Sequence, residues 1–119
     1  SKMDVAFDVG RVINPKACEG QVEGGTLMGM GYGVTEDFKM DNGRAVTKYG
    51  TLGLLRAKQR PDITVHFVEK GTPDQMAYGA KGIGEIASIP MAPAISNAYR
   101  HIDKEERRRL PLQHTGYKR

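Results

Sequence analysis

Six glycines, Gly20, Gly24, Gly25, Gly29, Gly31 and Gly33, fall inside a stretch that every other local signal marks as one helix. Asn14 offers an N-cap side chain, Pro15 suits the first helical position, where a missing N–H costs nothing, and Glu19 lies in the positive first turns. A helix is therefore predicted near residues 15–34. Each glycine costs about 1 kcal/mol relative to alanine in a helix interior, so something must offset the loss. Gly20 and Gly24, then Gly25 and Gly29, are four apart and leave a stripe without side chains. A backbone or a cofactor can approach such a stripe closely. The same spacing marks membrane dimer helices, but Glu19, Gln21, Glu23, Glu36 and Asp37 exclude that use here. Taken alone, the spacing favours tight packing on a neighbouring strand over a ligand.

The chain of 119 residues has room for one small domain or for part of a larger one. Hydrophobic residues at 39% and charged residues at 27% exclude wholesale disorder. No apolar run approaches the roughly 20 residues that span a bilayer, and SKMDVAFDV has no signal-peptide layout, so a soluble, cytoplasmic protein without membrane contact is expected. Cys18 is the single cysteine and allows neither an internal disulfide nor a cysteine metal cluster. The net charge of +4 is concentrated in residues 103–119, which hold six Lys or Arg against three acids. No aromatic residue separates the arginines there, so a solvated end or subunit contact is expected before nucleic acid.

Val5 to Val9 reads as a strand, and DNG at 41–43 as a hairpin turn. Ile63, Val65 and Phe67 alternate with more polar positions between Pro61 and Gly71, which is the clearest strand. Residues 70–84 form a loop rich in Gly and Pro. A second helix builds up after it, and Pro90 and Pro93 place its regular part near 90–102. Ile95, Ala98, Tyr99 and Ile102 fall at helical spacing and are expected to face inward. The whole reads as α+β, short strands and a hairpin packed with two helices, in a unit over 1–102 followed by an extended basic arm over 103–119.

YGAKGIGE, residues 78–85, places three glycines around Lys81 and ends in the carboxylate of Glu85 at a helix start. Glycines let backbone N–H groups face a polar or anionic ligand, and a carboxylate held there can accept a proton. On local sequence alone, a plain loop with a capping glutamate is the favoured reading. GIGEIA, residues 82–87, fits the GxGxxA of a dinucleotide site, but no acidic residue about 20 positions later ends a further strand. His66, His101 and His114 lack paired spacing, so no metal ligation by protein side chains is expected. Ser88 and Ser96 have no GxSxG context, and Cys18 reads as core. Metal chemistry would have to arrive with a cofactor.

Three blocks in order, DVGRVINPKACEGQVEGGTLMGMGYGVTEDF, YGTLGLLRA and YGAKGIGEIASIPMAPAISNAY, resemble the C-terminal part of the molybdopterin-binding large subunit of the xanthine dehydrogenase and aldehyde oxidase family. The likeness covers residues 4–102, with the tail through LPL a looser match. It implies a molybdenum-dependent oxidoreductase that hydroxylates aromatic heterocycles or aldehydes with water as oxygen source. By the resemblance, Glu85 is the base. Metal coordination acidifies a water-derived hydroxyl, so a base of moderate strength suffices. Gln21 matches a glutamine that hydrogen-bonds the pterin, an edge suited to an amide that both donates and accepts. Lys16 and Ala17 line the same helix start, and Lys81, Gly82, Ile83 and Gly84 supply backbone near the cofactor. The family's metal takes no protein ligand. The resemblance further implies partners: the remainder of the molybdopterin subunit, iron–sulfur and FAD modules, and a small-molecule substrate. Where many members carry two prolines after the glutamate, this chain has Ile86 and Ala87, which leaves substrate class open. Two other readings stand beside it: a non-catalytic interaction module using the basic tail, and a nucleotide-binding domain built on GIGEIA.

Overall fold

The structure, a computed structural model, describes residues 2–116. Strand β1 (Lys2–Asp8) leads to helix α1 (Pro15–Val34), a hairpin of β2 (Met40–Asp41) and β3 (Arg44–Ala45), strand β4 (Asp62–Val68) and helix α2 (Met91–Asp103). β1 and β4 pair in parallel, with α1 in the connection between them, as parallel neighbours require a long crossover. The register sets Met3 beside Ile63, Val5 beside Val65 and Phe7 beside Phe67. These alternate residues face one side and pack with Val22 of α1, Ala87 and Met91. The other face is polar and carries a contact between Asp4 and His66 at 3.4 Å.

α1 starts and ends as its sequence dictates. Asn14 Oδ1 accepts the Ala17 N–H at 3.1 Å with Pro15 in the first turn, and Thr35 closes the helix by donating to the Gly31 carbonyl. In the hairpin, Asn42 at φ 46° and Gly43 at φ 78° adopt the left-handed pair that a two-residue turn needs.

Three features differ from the sequence-based expectation. The glycine stripe packs on no strand. It splits in two: a Cβ on Gly25 would lie 2.8 Å from Ala87 Cβ, one on Gly29 would overlap the Ser88 carbonyl, and one on Gly33 would sit 3.3 Å from Ala92 Cα. Gly20 and Gly24, by contrast, have no heavy atom within 4 Å of such a Cβ. Second, the contact of Gly33 with Ala92 turns α2 so that Met91, Ala92, Ile95 and Tyr99 face inward, while Ala98 is exposed and Ile102 is 80% exposed. Third, no helix starts at Glu85. Ile86–Ser88 form a single 3-10 turn and α2 waits until Met91, because Pro90 lacks the N–H that would continue a helix from Ile86.

The arm after Lys104 has neither helix nor strand through Gly116 and returns along α1; its last three residues lie outside the described residues. Leu112 N–H donates to the Gly33 carbonyl at 2.7 Å, and its side chain joins Met30 and Val34 in a second small core. The Arg107 side chain is 2% exposed. It bonds Asp103 at 2.6 Å and the Gln113 carbonyl at 2.7 Å, and lies over the Tyr99 ring.

Candidate active site

The second to fourth turns of α1 and the segment from Gly84 to Ser88 form the two walls of an open cleft of about 360 Å³, lined by Gln21, Gly24, Gly25, Met28, Gly84, Glu85 and Ser88. The walls are close because Gly25 and Gly29 let Ala87 and Ser88 rest on the helix backbone, and Ala87 is fully buried. Gln21 ties the rims together: its Nε2 donates to the Gly84 carbonyl at 2.5 Å. That bond uses one amide proton and leaves the Oε1 acceptor.

Glu85 stands at the N-cap position of the Ile86–Ser88 turn, yet its carboxylate makes no cap hydrogen bond. The capping explanation therefore does not account for this side chain. Its backbone carbonyl does the structural work, accepting from Ser88 N–H at 3.1 Å and Ser88 Oγ at 2.8 Å. Glu85 is exposed and is one of the residues that line the cleft.

The other residues singled out in the sequence are distributed unevenly. Gln21, Gly84 and Glu85 meet in the cleft. Lys81, Gly82 and Ile83 belong to the same loop but not to its lining, and Lys81 is engaged elsewhere, its N–H on the Val9 carbonyl and its Nζ on Asp8. Lys16 and Ala17 are exposed in the first turn of α1 and also do not line the cleft. Sequence reasoning offered Gly24 and Gly25 only as part of a stripe that a backbone or a cofactor can approach, and it missed Met28 and Ser88. The first three lie within GQVEGGTLM, where a helical turn places positions 21, 24, 25 and 28 on one face.

The GIGEIA alternative lacks its setting, because this loop follows an irregular turn with Ala77 and Tyr78 in the left-handed region and enters the 3-10 turn Ile86–Ser88, with no strand-to-helix junction. In the tail, part of the basic charge is paired within the chain, although six Lys or Arg still outnumber three acids over residues 103–119. Arg107 pairs with Asp103 and Glu105, and Arg108 and Arg100 with Glu106. No helix among the described residues is long and apolar enough to cross a membrane. No group of three or more His, Cys, Asp or Glu among them gathers as for a metal ion.

A family model described as "Molybdopterin cofactor-binding domain" matches residues 1–61, half of the chain, and includes the helix wall of the cleft. The chain belongs to this molybdopterin cofactor-binding family. Among its relatives is the xanthine dehydrogenase molybdenum-binding subunit of Escherichia coli O157:H7, 37% identical over 108 residues, covering 88% of this chain and 14% of the relative. The aldehyde oxidoreductase of Megalodesulfovibrio gigas is 33% identical over 113 residues, covering 92% of this chain and 12% of the relative. Among solved structures, quinoline 2-oxidoreductase from Pseudomonas putida 86 superposes with a TM-score of 0.75 at 29% identity, over 91% of this chain and 14% of that one. The mixed α/β architecture is thus the one these family members use. The chain spans about one-seventh of the length of such relatives.

Proposed function

We propose that this chain forms one wall of the cofactor site in a molybdenum-dependent hydroxylase, with Glu85 as the base and Gln21 as a pterin contact. The observation that carries the reading is the meeting of Glu85 and Gln21 in one cleft, although 64 positions separate them in the sequence. The residues present fit a pterin-bearing group. Gly24 and Gly84 line the cleft, and a Cβ on either would meet no protein atom within 4 Å, so both rims leave room for a flat, polar ligand. Gln21 lines the cleft and keeps its amide acceptor unused by its bond to Gly84.

When bound, the molybdenum cofactor supplies the two-electron oxidising centre at which a substrate carbon gains oxygen from water. The protein's part is proton handling and positioning. The Glu85 carboxylate, free of structural hydrogen bonds, is placed to accept the proton that the attacking oxygen must lose. Gln21 fixes the height of the loop by holding Gly84, so one side chain links the ligand to the base. Lys81, Gly82 and Ile83 carry the loop to the rim at Gly84 without lining the cleft, and Lys16 and Ala17 lie at the outer end of the helix wall. The substrate is an aromatic heterocycle or an aldehyde. The remainder of the molybdopterin subunit completes the pocket, and iron–sulfur and flavin modules carry the electrons away.

In the intact enzyme, Glu85→Gln keeps shape and volume but cannot accept a proton. Turnover is expected to fall by about two to four powers of ten, with molybdenum content unchanged. Turnover near the wild-type rate in that variant removes Glu85 from the mechanism.

A further inference from the structure

The loop that carries Glu85 is held at two points. At its far end Gln21 holds the Gly84 carbonyl. At its near end the backbone pairs Gly10 with Ala80 through the Arg11 N–H on the Gly79 carbonyl at 2.8 Å and the Lys81 N–H on the Val9 carbonyl at 3.0 Å, and beyond that pairing Lys81 Nζ reaches Asp8 Oδ2 at 2.5 Å. Between the two ties, packing offers little: a Cβ on Gly82 or Gly84 would meet nothing within 4 Å. Asp8, the last residue of β1, is itself well anchored. It sits in register with Val68, and its other oxygen accepts the Gly10 N–H at 3.0 Å. The bond from Lys81 first, then that from Gly10, holds its carboxyl below the usual aspartate range.

We infer that Asp8 is a positioning residue for Glu85, acting through Lys81 to fix where the Gly82–Gly84 run begins and so where the carboxylate comes to rest. The inference rests on the reading of Glu85 as the base. A half-exposed ion pair contributes little to global stability. Positioning asks less of it, only that a glycine-rich run be kept from drifting, and a displacement of about 1 Å at a reacting group already costs roughly a hundredfold in rate. The sheet thereby transmits its rigidity to the cleft through the Lys81 side chain as well as the backbone pairing beside it. Lys81 then serves with its side chain turned away from the ligand.

The test uses the full-length molybdenum subunit loaded with cofactor, in the variants Asp8→Asn, Asp8→Glu, Lys81→Met, Asp8→Asn/Lys81→Met and Glu85→Gln. Amide exchange of peptides spanning 80–86 needs no substrate. Molybdenum content is read alongside, and steady-state turnover uses xanthine, quinoline and benzaldehyde as probes. Asp8→Asn and Lys81→Met are each expected to speed exchange in 80–86 by about tenfold while α1 and α2 peptides keep their rates. kcat falls with KM and molybdenum content held, the double variant is no worse than either single one, and Asp8→Glu recovers part of the loss. Unchanged exchange in Asp8→Asn overturns the inference. So does loss of molybdenum in Lys81→Met but not in Asp8→Asn, which makes Lys81 a direct cofactor contact. Glu85→Gln separates the two levels: if it stays active the base assignment falls, whereas an inactive Glu85→Gln beside a fully active Asp8→Asn removes only Asp8.

Discussion

At the scale of single residues, the glycines of α1 divide by what lies opposite them, and their substitutions should divide likewise. Alanine at Gly29 gains helix propensity but drives a methyl into the Ser88 carbonyl, a backbone atom that cannot swing away. Overpacking of that kind costs about 1–3 kcal/mol and outweighs a propensity gain of about 1 kcal/mol, so chemical denaturation of Gly29→Ala is expected to show net destabilisation. Alanine at Gly24 meets no protein atom and should leave stability equal or raised by up to about 1 kcal/mol. The same methyl enters the cleft, so molybdenum content of the intact Gly24→Ala subunit is expected to fall. Normal cofactor loading in Gly24→Ala would show that the open glycines are not ligand-facing. The sequence marked all six glycines as costly, but spacing does not reveal which would meet backbone and which would meet open space. That division depends on where Ala87 and Ser88 arrive from more than fifty positions away.

At the scale of elements, α1 was the most legible, because Asn14, Pro15 and the helical spacing act within a few residues of one another. The DNG hairpin and β4 were legible for the same reason. α2 was less so: its apolar positions form a stripe wide enough to permit two faces, and the contact of Gly33 with Ala92 selects the one led by Met91. The folded-back arm depends on an interaction that periodicity does not report. Arg107, enclosed by Asp103, Glu105, the Gln113 carbonyl and the Tyr99 ring, acts as its latch. Arg107→Ala should release the segment that bears Leu112, and trypsin should then cut the intact subunit at Arg108 and Arg109 at least about tenfold faster. Cleavage at the wild-type rate would contradict the latch. The hydrogen bonds from the Arg107 side chain and from the Glu105 N–H lower the Asp103 pKa to about 2. Because this folded value is depressed from an ordinary value of roughly 3.9, the stabilisation is present above about pH 4 and disappears as pH falls toward 2. Amide exchange at Leu112, corrected for its intrinsic pH dependence, should rise through that window and stay flat in Asp103→Asn.

At the scale of the whole molecule, a two-stranded parallel sheet, two helices and a returning arm make two small cores, and the cleft of Gln21 and Glu85 opens beside the first. Parallel sheets are ordinarily covered on both faces, and here one face of β1 and β4 is covered while the other is polar. The cleft between α1 and the turn at Glu85 is open rather than enclosed, which is consistent with the proposal that it forms one wall of a larger site. The placement of Glu85 opposite Gln21 was legible only through the family resemblance, because no local signal joins positions 21 and 85. Its physical basis is the contact of Gly25 and Gly29 with Ala87 and Ser88. The most direct measurement is to locate molybdenum by anomalous scattering in crystals of the intact, cofactor-loaded subunit. The metal should lie within about 5 Å of the Glu85 carboxylate, close enough for direct or single-water proton transfer, with the pterin reaching Gln21. A metal more than about 10 Å from Glu85, or a pterin bound away from the face of Gln21 and Gly24, would contradict the assignment.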